Sequence, residues 1–392
     1  MNRADHENLF TAAPLPVAPL DDAGRLACLR LIRSENVGPA TFRELINHYG
    51  GAEQALEALP ELSRRGGSGR TIRICPREQA LAELEAAKRI GARPIVTIEP
   101  GYPPALAATA MPPPLIYVKG DAALLGRPML AVVGSRDAAA AGTTLARLMA
   151  REIGRAGVVI ASGLARGIDR AAHEASLDTG SVAVLAGGVD VVYPPEHASL
   201  HEEIARCGCL ISEMPPGFVP RGQEFPRRNR IIAGVALAVL VVEAARRSGT
   251  LVTARLANEI GRDVFAIPGH PLDPRAEGTN RLIKQGATMV TEAGDILEAL
   301  APQVASGFRE TVAPPAVVEA LQVPPPRPPP LLTQSDRDRL VAALGPAPVD
   351  VDELVRTTGL GLRTVQVLLM ELALAGRLAR HGGQLVSLVG AD

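Results

Sequence analysis

The chain has 392 residues, 41 Lys and Arg against 42 Asp and Glu, a formal net charge of −1 and 47% hydrophobic residues. That size and apolar content suffice for two or three domains with sizeable cores, while the near-neutral balance excludes a broadly basic coat for nucleic acid and leaves room only for a local patch. There is no Trp and only 3% aromatic residues, so phosphate capture is expected to outweigh base stacking.

Residues 1–21 mix acids and prolines and read as a flexible N-terminus without the apolar core of a signal peptide. No run in the chain approaches the roughly 20 apolar residues needed to cross a bilayer, so no membrane partner is expected. The four cysteines, Cys28, Cys75, Cys207 and Cys209, match neither a zinc site nor a redox pair. The expectation is a cytoplasmic protein with reduced thiols, no metal and no cofactor.

From 22 to 90 the apolar residues keep helical spacing, as in Leu26, Leu29, Leu31 and Ile32, then Phe42, Leu45 and Ile46. This predicts a small all-helical domain of the SAM or helix-hairpin-helix kind. The turn Asn36-Val-Gly-Pro-Ala-Thr41 resembles the hairpin of a helix-hairpin-helix, whose Gly-rich turn can bind DNA phosphate; a plain interhelical turn is the other reading, and both stay open.

Residues 91–300 predict an α/β core. Pro112-Pro-Pro114 precedes a strand at Leu115–Val118, and proline there predicts an edge position. Strands then alternate with helices near 129–133, 158–162, 182–186, 209–212, 238–243, 263–267 and 288–291. Apolar strands alternating with helices imply a mostly parallel, doubly wound sheet, whose ligands sit beyond the strand C-termini.

Three glycine-rich turns follow strands of this sheet: Gly134-Ser135-Arg136, Ser162-Gly163-Leu-Ala-Arg166-Gly167, and Ser248-Gly249-Thr250. Strand, small-residue turn and helix is how such a sheet presents backbone N–H groups to an anion. A fourth segment, Glu224-Phe-Pro-Arg-Arg-Asn-Arg-Ile-Ile-Ala-Gly234, carries Arg227, Arg228, Asn229 and Arg230 on a helix entering the strand at 238. Guanidinium forks suit phosphate oxygens. An arginine cluster alone is more often a solvated helix face, but three such turns beside it tip the reading toward a polyanion site. None of the turns matches Gly-x-x-x-x-Gly-Lys-Ser/Thr or Gly-x-Gly-x-x-Gly, so neither an ATPase P-loop nor a standard dinucleotide fingerprint is present.

Residues 301–331 are dominated by proline and predict a semi-rigid linker. Beyond it, 332–392 read as helix, turn, helix and hairpin, a winged-helix pattern. Its six Arg against seven Asp and Glu offer little to DNA.

With these residues in view, the chain resembles the bacterial DNA-processing protein A family, DprA or Smf. The matching stretches include Tyr102-Pro-Pro-Ala-Leu106, Val133-Gly-Ser-Arg136, Ser162-Gly-Leu-Ala-Arg-Gly-Ile-Asp169, Phe225 to Gly234, Ser248-Gly-Thr-Leu-Val-Thr-Ala254 and Gly278-Thr-Asn-Arg-Leu-Ile-Lys-Gln-Gly-Ala287. The resemblance implies an extended Rossmann-like core that binds single-stranded DNA, between an N-terminal helical domain and a C-terminal winged helix. It further implies loading of RecA recombinase onto incoming strands in natural transformation, and a homodimer through the region of Leu282 and Ile283. Carried over by position, Arg136, Arg227, Asn229, Arg230 and Lys284 line the DNA pocket, with donors from Ser162, Gly163 and Ser248 to Thr250.

A nucleotide phosphoribohydrolase-like enzyme on the same sheet is the rival. Those enzymes use Pro-Gly-Gly-x-Gly-Thr followed by a catalytic Glu, whereas here the turn reads Arg247-Ser-Gly-Thr250 and Ala254 stands near where an acid is wanted. Asp169 and His173 sit one helical turn apart and are read as a structural His held by an Asp rather than an acid–base pair.

Overall fold

The computed structural model describes residues 19–307, 332–381 and 384–389. The expected flexible N-terminus up to residue 18 and most of the expected Pro-rich linker lie outside the described residues. Two compact units result, one holding residues 20–81 together with the described C-terminal residues, the other holding 82–307.

In the first unit, helices α1 (Asp22–Arg33), α2 (Pro39–Tyr49) and α3 (Ala52–Arg65) begin and end where local chemistry dictates. The Asp21 carboxylate caps α1 by accepting from Gly24 N at 2.7 Å. Pro39 opens α2, and Gly50, at φ 76°, closes it in the left-handed conformation that glycine tolerates. Helix α4 (Arg77–Arg89) then leads into the second unit.

That unit is a nine-stranded sheet. Its strands are β1 (Arg93–Val96), β2 (Leu115–Gly120), β3 (Met129–Val133), β4 (Val159–Ser162), β5 (Ser181–Val184), β6 (Cys209–Ser212), β7 (Ala238–Val241), β8 (Asp263–Ala266) and β9 (Thr288–Met289). They lie in the order β1-β2-β6-β5-β4-β3-β7-β8-β9. Pairings from β6 through β9 are parallel, and only β1 with β2 and β2 with β6 are antiparallel. Helices α5 (Pro104–Ala107), α6 (Ala140–Arg155), α7 (Ile168–Ser176), α8 (Ala198–Cys207), α9 (Glu224–Val235), α10 (Thr250–Glu259), α11 (Glu277–Lys284) and α12 (Ala293–Gly307) complete it.

Side chains alternate across the pleat. Ala131 and Val133 enter one apolar layer with Ile231, while Leu130 and Val132 enter the other with Met149 and Ile153. Both faces are therefore covered, which is the doubly wound, Rossmann-like arrangement the alternation of strands implies.

Two expectations need correction. The strand after Pro112–Pro114 is not at the edge: β2 lies between β1 and β6. The prolines precede its first residue, so their missing N–H groups never fall in the ladder, and the Pro114 carbonyl accepts from Thr97 N at 2.9 Å. Order also persists past residue 301, because α12 continues to Gly307 with Pro302 inside it.

Returning to the first unit, the C-terminal segment forms α13 (Gln334–Ala343), β10 (Val349–Asp350), α14 (Val351–Thr358), α15 (Leu362–Leu374), β11 (Leu378–Arg380) and β12 (Leu385–Leu388), with sheet order β10-β12-β11. This is a winged helix. A Thr333–Asp336 capping box starts α13. Leu340, Leu354, Val365, Leu368, Leu372 and Val386 fill its core.

Candidate functional site

Strand β3 is flanked by β4 on one side and β7 on the other, so the chain winds away from it in both directions and a crevice opens at its C-terminal end. All three glycine-rich turns meet there. Gly167 has φ 73°, and a Cβ on it would lie 2.2 Å from the Ser135 carbonyl oxygen. The turns after β3 and β4 thus touch backbone to backbone, which only glycine permits.

Hydroxyls stitch the same turns together. Ser162 Oγ donates to Val132 O at 2.6 Å, Thr250 Oγ1 to Gly134 O at 2.9 Å, and Ser248 Oγ accepts from Thr250 N at 3.2 Å. These hydroxyls fix the crevice walls.

The arginine-rich segment forms the first two turns of α9, and its members part company. Arg228 is buried, and its Nη1 donates to the carbonyls of Gly163 and Val184, each at 2.5 Å. Burial pushes its pKa down to about 10, against the pull of the Asp169 carboxylate. Asp169, itself buried, accepts from Gly163 N at 3.2 Å and Ala165 N at 3.3 Å. Burial raises its pKa, with Arg228 and the two N–H groups opposing. A Cβ on Gly163 would sit 2.3 Å from Arg228 Nη1, so Gly163 is the space this guanidinium needs.

Arg227 and Arg230 turn elsewhere. Both pair with Glu213, whose side chain is 8% exposed: Arg227 Nε lies 2.8 Å from Oε1, and Arg230 reaches Oε2 while also donating to Met111 O at 2.9 Å. The Arg230 fork is thereby occupied by a carboxylate and a carbonyl, whereas Arg227, its side chain 59% exposed, meets Glu213 through Nε alone and lines neither cavity. Asn229 does face the crevice, with Nδ2 3.4 Å from Gly249 O.

Two cavities make up the crevice. A groove of about 750 Å³ is lined by Ser135, Arg136, Arg221, Asn229, Arg247 and Ser248 to Thr250, among others, and a deeper hollow of about 250 Å³ by Arg136, Gly163, Arg166, Tyr193, Phe225 and Arg228 among others. Among the described residues Arg136, Arg221 and Arg247 are exposed and in no ion pair. Arg166 sits 4.0 Å from Glu196. Between groove and hollow, Tyr193 and Phe225 stand with ring centroids 5.0 Å apart, and the Arg136 guanidinium lies 5.6 Å over the Phe225 ring.

Sequence reasoning missed Arg221, Arg247, Tyr193 and Phe225. Aromatic scarcity was a statement about number, and two rings suffice when both stand at the crevice mouth. Arg221 and Arg247 carry no motif of their own; only their distance from a strand end, at known topology, would have found them. Lys284 is not among the residues lining either cavity. Leu282 is buried in the core and Ile283 half-buried against it.

The pair read as a His held by an Asp is arranged differently. His173 Nδ1 meets Ser181 Oγ at 2.7 Å, while the Asp169 carboxylate turns to the backbone of the β4–α7 turn. Burial drives the His173 pKa down to about 3, so the ring is neutral. Glu243, the acid nearest the third turn in sequence, accepts from Ala139 N at 3.1 Å ahead of α6. A Cβ on Gly142 would lie 2.3 Å from its carboxylate. Among the described residues no group of His, Cys, Asp and Glu has the makings of a metal site, and no helix is long and apolar enough to cross a membrane.

Comparison with known proteins covers most of the chain. Residues 93–301 match the family model of DNA recombination-mediator protein A, 22–86 a DprA-like N-terminal HHH domain, and 323–384 a DprA winged helix domain. Protein Smf of Synechocystis is 32% identical over 377 residues, covering 89% of this chain and 95% of that protein. Protein Smf of Escherichia coli is 44% identical over 202 residues, 51% of this chain and only 54% of that protein. Among solved structures, DNA processing protein A of Helicobacter pylori, described for its single-stranded DNA binding mode, aligns with a TM-score of 0.50 at 28% identity, covering 54% of this chain and 96% of that one. With one family model spanning more than half of its length and a full-length relative at this identity, the chain belongs to the DNA recombination-mediator protein A family.

Proposed function

We propose that the crevice at the β3–β7 switch point binds single-stranded DNA as part of the recombination of incoming DNA, and does so without turning a substrate over. The observation that carries this reading is the trio Arg136, Arg221 and Arg247, exposed around one groove whose floor is made of glycine-rich turns. Permanently charged forks spaced along a groove suit a phosphate backbone. Tyr193 and Phe225 add a ring surface at the mouth of a hollow, and stacking on such rings is sequence-tolerant. The Helicobacter pylori relative, described as binding single strands, supports the same assignment.

Affinity for an oligonucleotide should fall with salt at a slope of log K against log [salt] near roughly −2, at about −0.7 for each of three phosphate contacts to a single strand. Gel shifts over a salt series, with duplex of the same length beside it, test this. A slope near zero, or tighter binding to duplex, overturns the reading. In the same samples nucleoside monophosphates should release no base; release abolished by Glu243→Gln would favour the hydrolase alternative.

Self-association and RecA recombinase as a partner belong to the same proposal. The edge strand β9 offers an unpaired ladder; Met289 on it is 56% exposed, and Leu272, in the segment between β8 and α11, is 86% exposed. These, with Ile283, suit a dimer contact better than Leu282, which is part of the core. In sedimentation the wild-type chain is expected to run as a dimer and a Leu272→Arg, Met289→Arg variant as a monomer, with RecA assembling faster on oligonucleotides carrying the dimer. A wild-type monomer at tens of micromolar, or RecA assembly unchanged by the protein, removes the corresponding partner.

A further inference from the structure

Helix α15 is the third helix of the winged helix, the one that in a DNA-reading domain of this shape lies in the groove. Here it is apolar on both sides. Val365, Leu368, Leu369 and Leu372 point into the winged helix's own core. Val367, Met370 and Leu374, spaced three and four residues apart, are 6%, 1% and 0% exposed yet belong to no part of that core. A helix apolar all round is a buried helix. What covers its second face is the N-terminal helical domain, because α15 packs on α3 and α2.

The contact is polar as well as apolar, and it joins residues more than 300 apart in sequence. At its C-terminal end, where α15 leaves carbonyls unsatisfied, Leu374 O accepts from Asn36 Nδ2 at 3.0 Å and Ser63 Oγ at 3.4 Å. Arg377 Nη1 donates to Gly66 O at 3.1 Å, and Arg380, on the wing strand β11, pairs with Glu44 at 2.6 Å. Burial raises the Glu44 pKa while Arg380 opposes it. The backbones themselves meet: a Cβ on Gly66 would stand 2.0 Å from the carbonyl oxygen of Glu371.

We propose that the winged helix is an intramolecular clasp whose third helix and wing bind this chain's own N-terminal helical domain in place of nucleic acid. The charges agree. Of the six arginines from residue 331 onward, Arg377 and Arg380 are held by the helical domain, while Arg337, Arg339 and Arg356 pair with Glu371, Asp336 and Glu353. Arg363 is left for phosphate, too little for the electrostatic attraction that supplies non-specific DNA affinity. Asn36, the first residue of the hairpin turn that resembles a DNA-binding helix-hairpin-helix, is itself engaged with α15. Each module thereby occupies part of the other.

The test uses the full chain and hydroxyl-radical oxidation of Met370, with buried Met129 and exposed Met289 as internal references. In wild type Met370 should be protected like Met129. Gly66→Ala should expose it at least fivefold; Gly66 closes α3 at φ −69°, a conformation alanine adopts without strain, so α3 alone would tolerate the change and only the closeness of α15 penalises it. Arg380→Glu should do the same, and the swap Glu44→Arg with Arg380→Glu should restore protection to within twofold, which a misfolded domain would not. Single-strand affinity of the opened variants should stay within threefold of wild type. Met370 oxidised as fast as Met289 in wild type, or unaffected by either single variant, overturns the clasp. A gain of more than tenfold in duplex affinity on opening overturns it differently, by showing that α15 is a masked DNA reader.

Discussion

Asp169→Ala is expected to destabilise the α/β unit by about 3–5 kcal/mol, the cost of stripping a buried charge of its counter-charge. Arg228 is buried beneath the crevice and donates to two carbonyls, and the Asp169 carboxylate is the opposite charge that acts on it. Removing that carboxylate also orphans the N–H groups of Gly163 and Ala165, each a further penalty of about 1–3 kcal/mol if water does not reach it. Asp169→Asn separates the two contributions, since an amide oxygen still accepts from the turn but carries no charge. The expected order is wild type, then Asn, then Ala, in urea unfolding followed on the α/β transition. A loss below about 1 kcal/mol for Ala would mean that the Arg228 charge is sustained by carbonyl dipoles alone.

This buried pair marks where sequence reading stops. The strands of the sheet are legible because apolar runs both-side buried have one use in an alternating α/β chain, and the three turns are legible because glycine after a strand end has few others. The resemblance to a known family added the order of the elements. What a linear reading cannot supply is the direction of a side chain on a helix. Arg227, Arg228 and Arg230 are neighbours in sequence, yet successive helical positions diverge by about a third of a turn. One therefore goes under the crevice and two go to Glu213, a residue remote from them in sequence. Asp169 and His173 share a helix face, as their spacing says, but their partners come from β5 and the turn between β4 and α7. The same limit hid the contact of α15 with α2 and α3. Charge balance alone showed that the winged helix suits DNA poorly; that its apolar excess has a partner near the other end of the chain is a property of the folded molecule.

Replacing Arg136, Arg221 and Arg247 together with alanine is expected to weaken single-stranded DNA binding at least a hundredfold at moderate salt. Each guanidinium that meets a phosphate contributes a charge-assisted hydrogen bond of about 1.5–3 kcal/mol, and three of them, even at the low end, exceed the roughly 2.7 kcal/mol that corresponds to a hundredfold change. Arg136 should account for the largest single share, because it lines both cavities and lies over Phe225, so its loss also removes a partner from the ring surface. Arg227→Ala provides the contrast. It lines neither cavity, and its Nε faces Glu213, which keeps Arg230 in its absence, so the change should move affinity by less than about threefold, under the 1.4 kcal/mol of a tenfold step. Phe225→Ala should weaken binding by about 1–3 kcal/mol if a base stacks there, with the salt slope unchanged because no charge is lost. The slope is what separates the two kinds of contact: it should fall toward zero in the triple variant and stay at its wild-type value in Phe225→Ala. Should Arg227→Ala instead abolish binding while the triple variant binds normally, the strand would lie on the Glu213 side of α9, and the crevice would have to be given up as the DNA site.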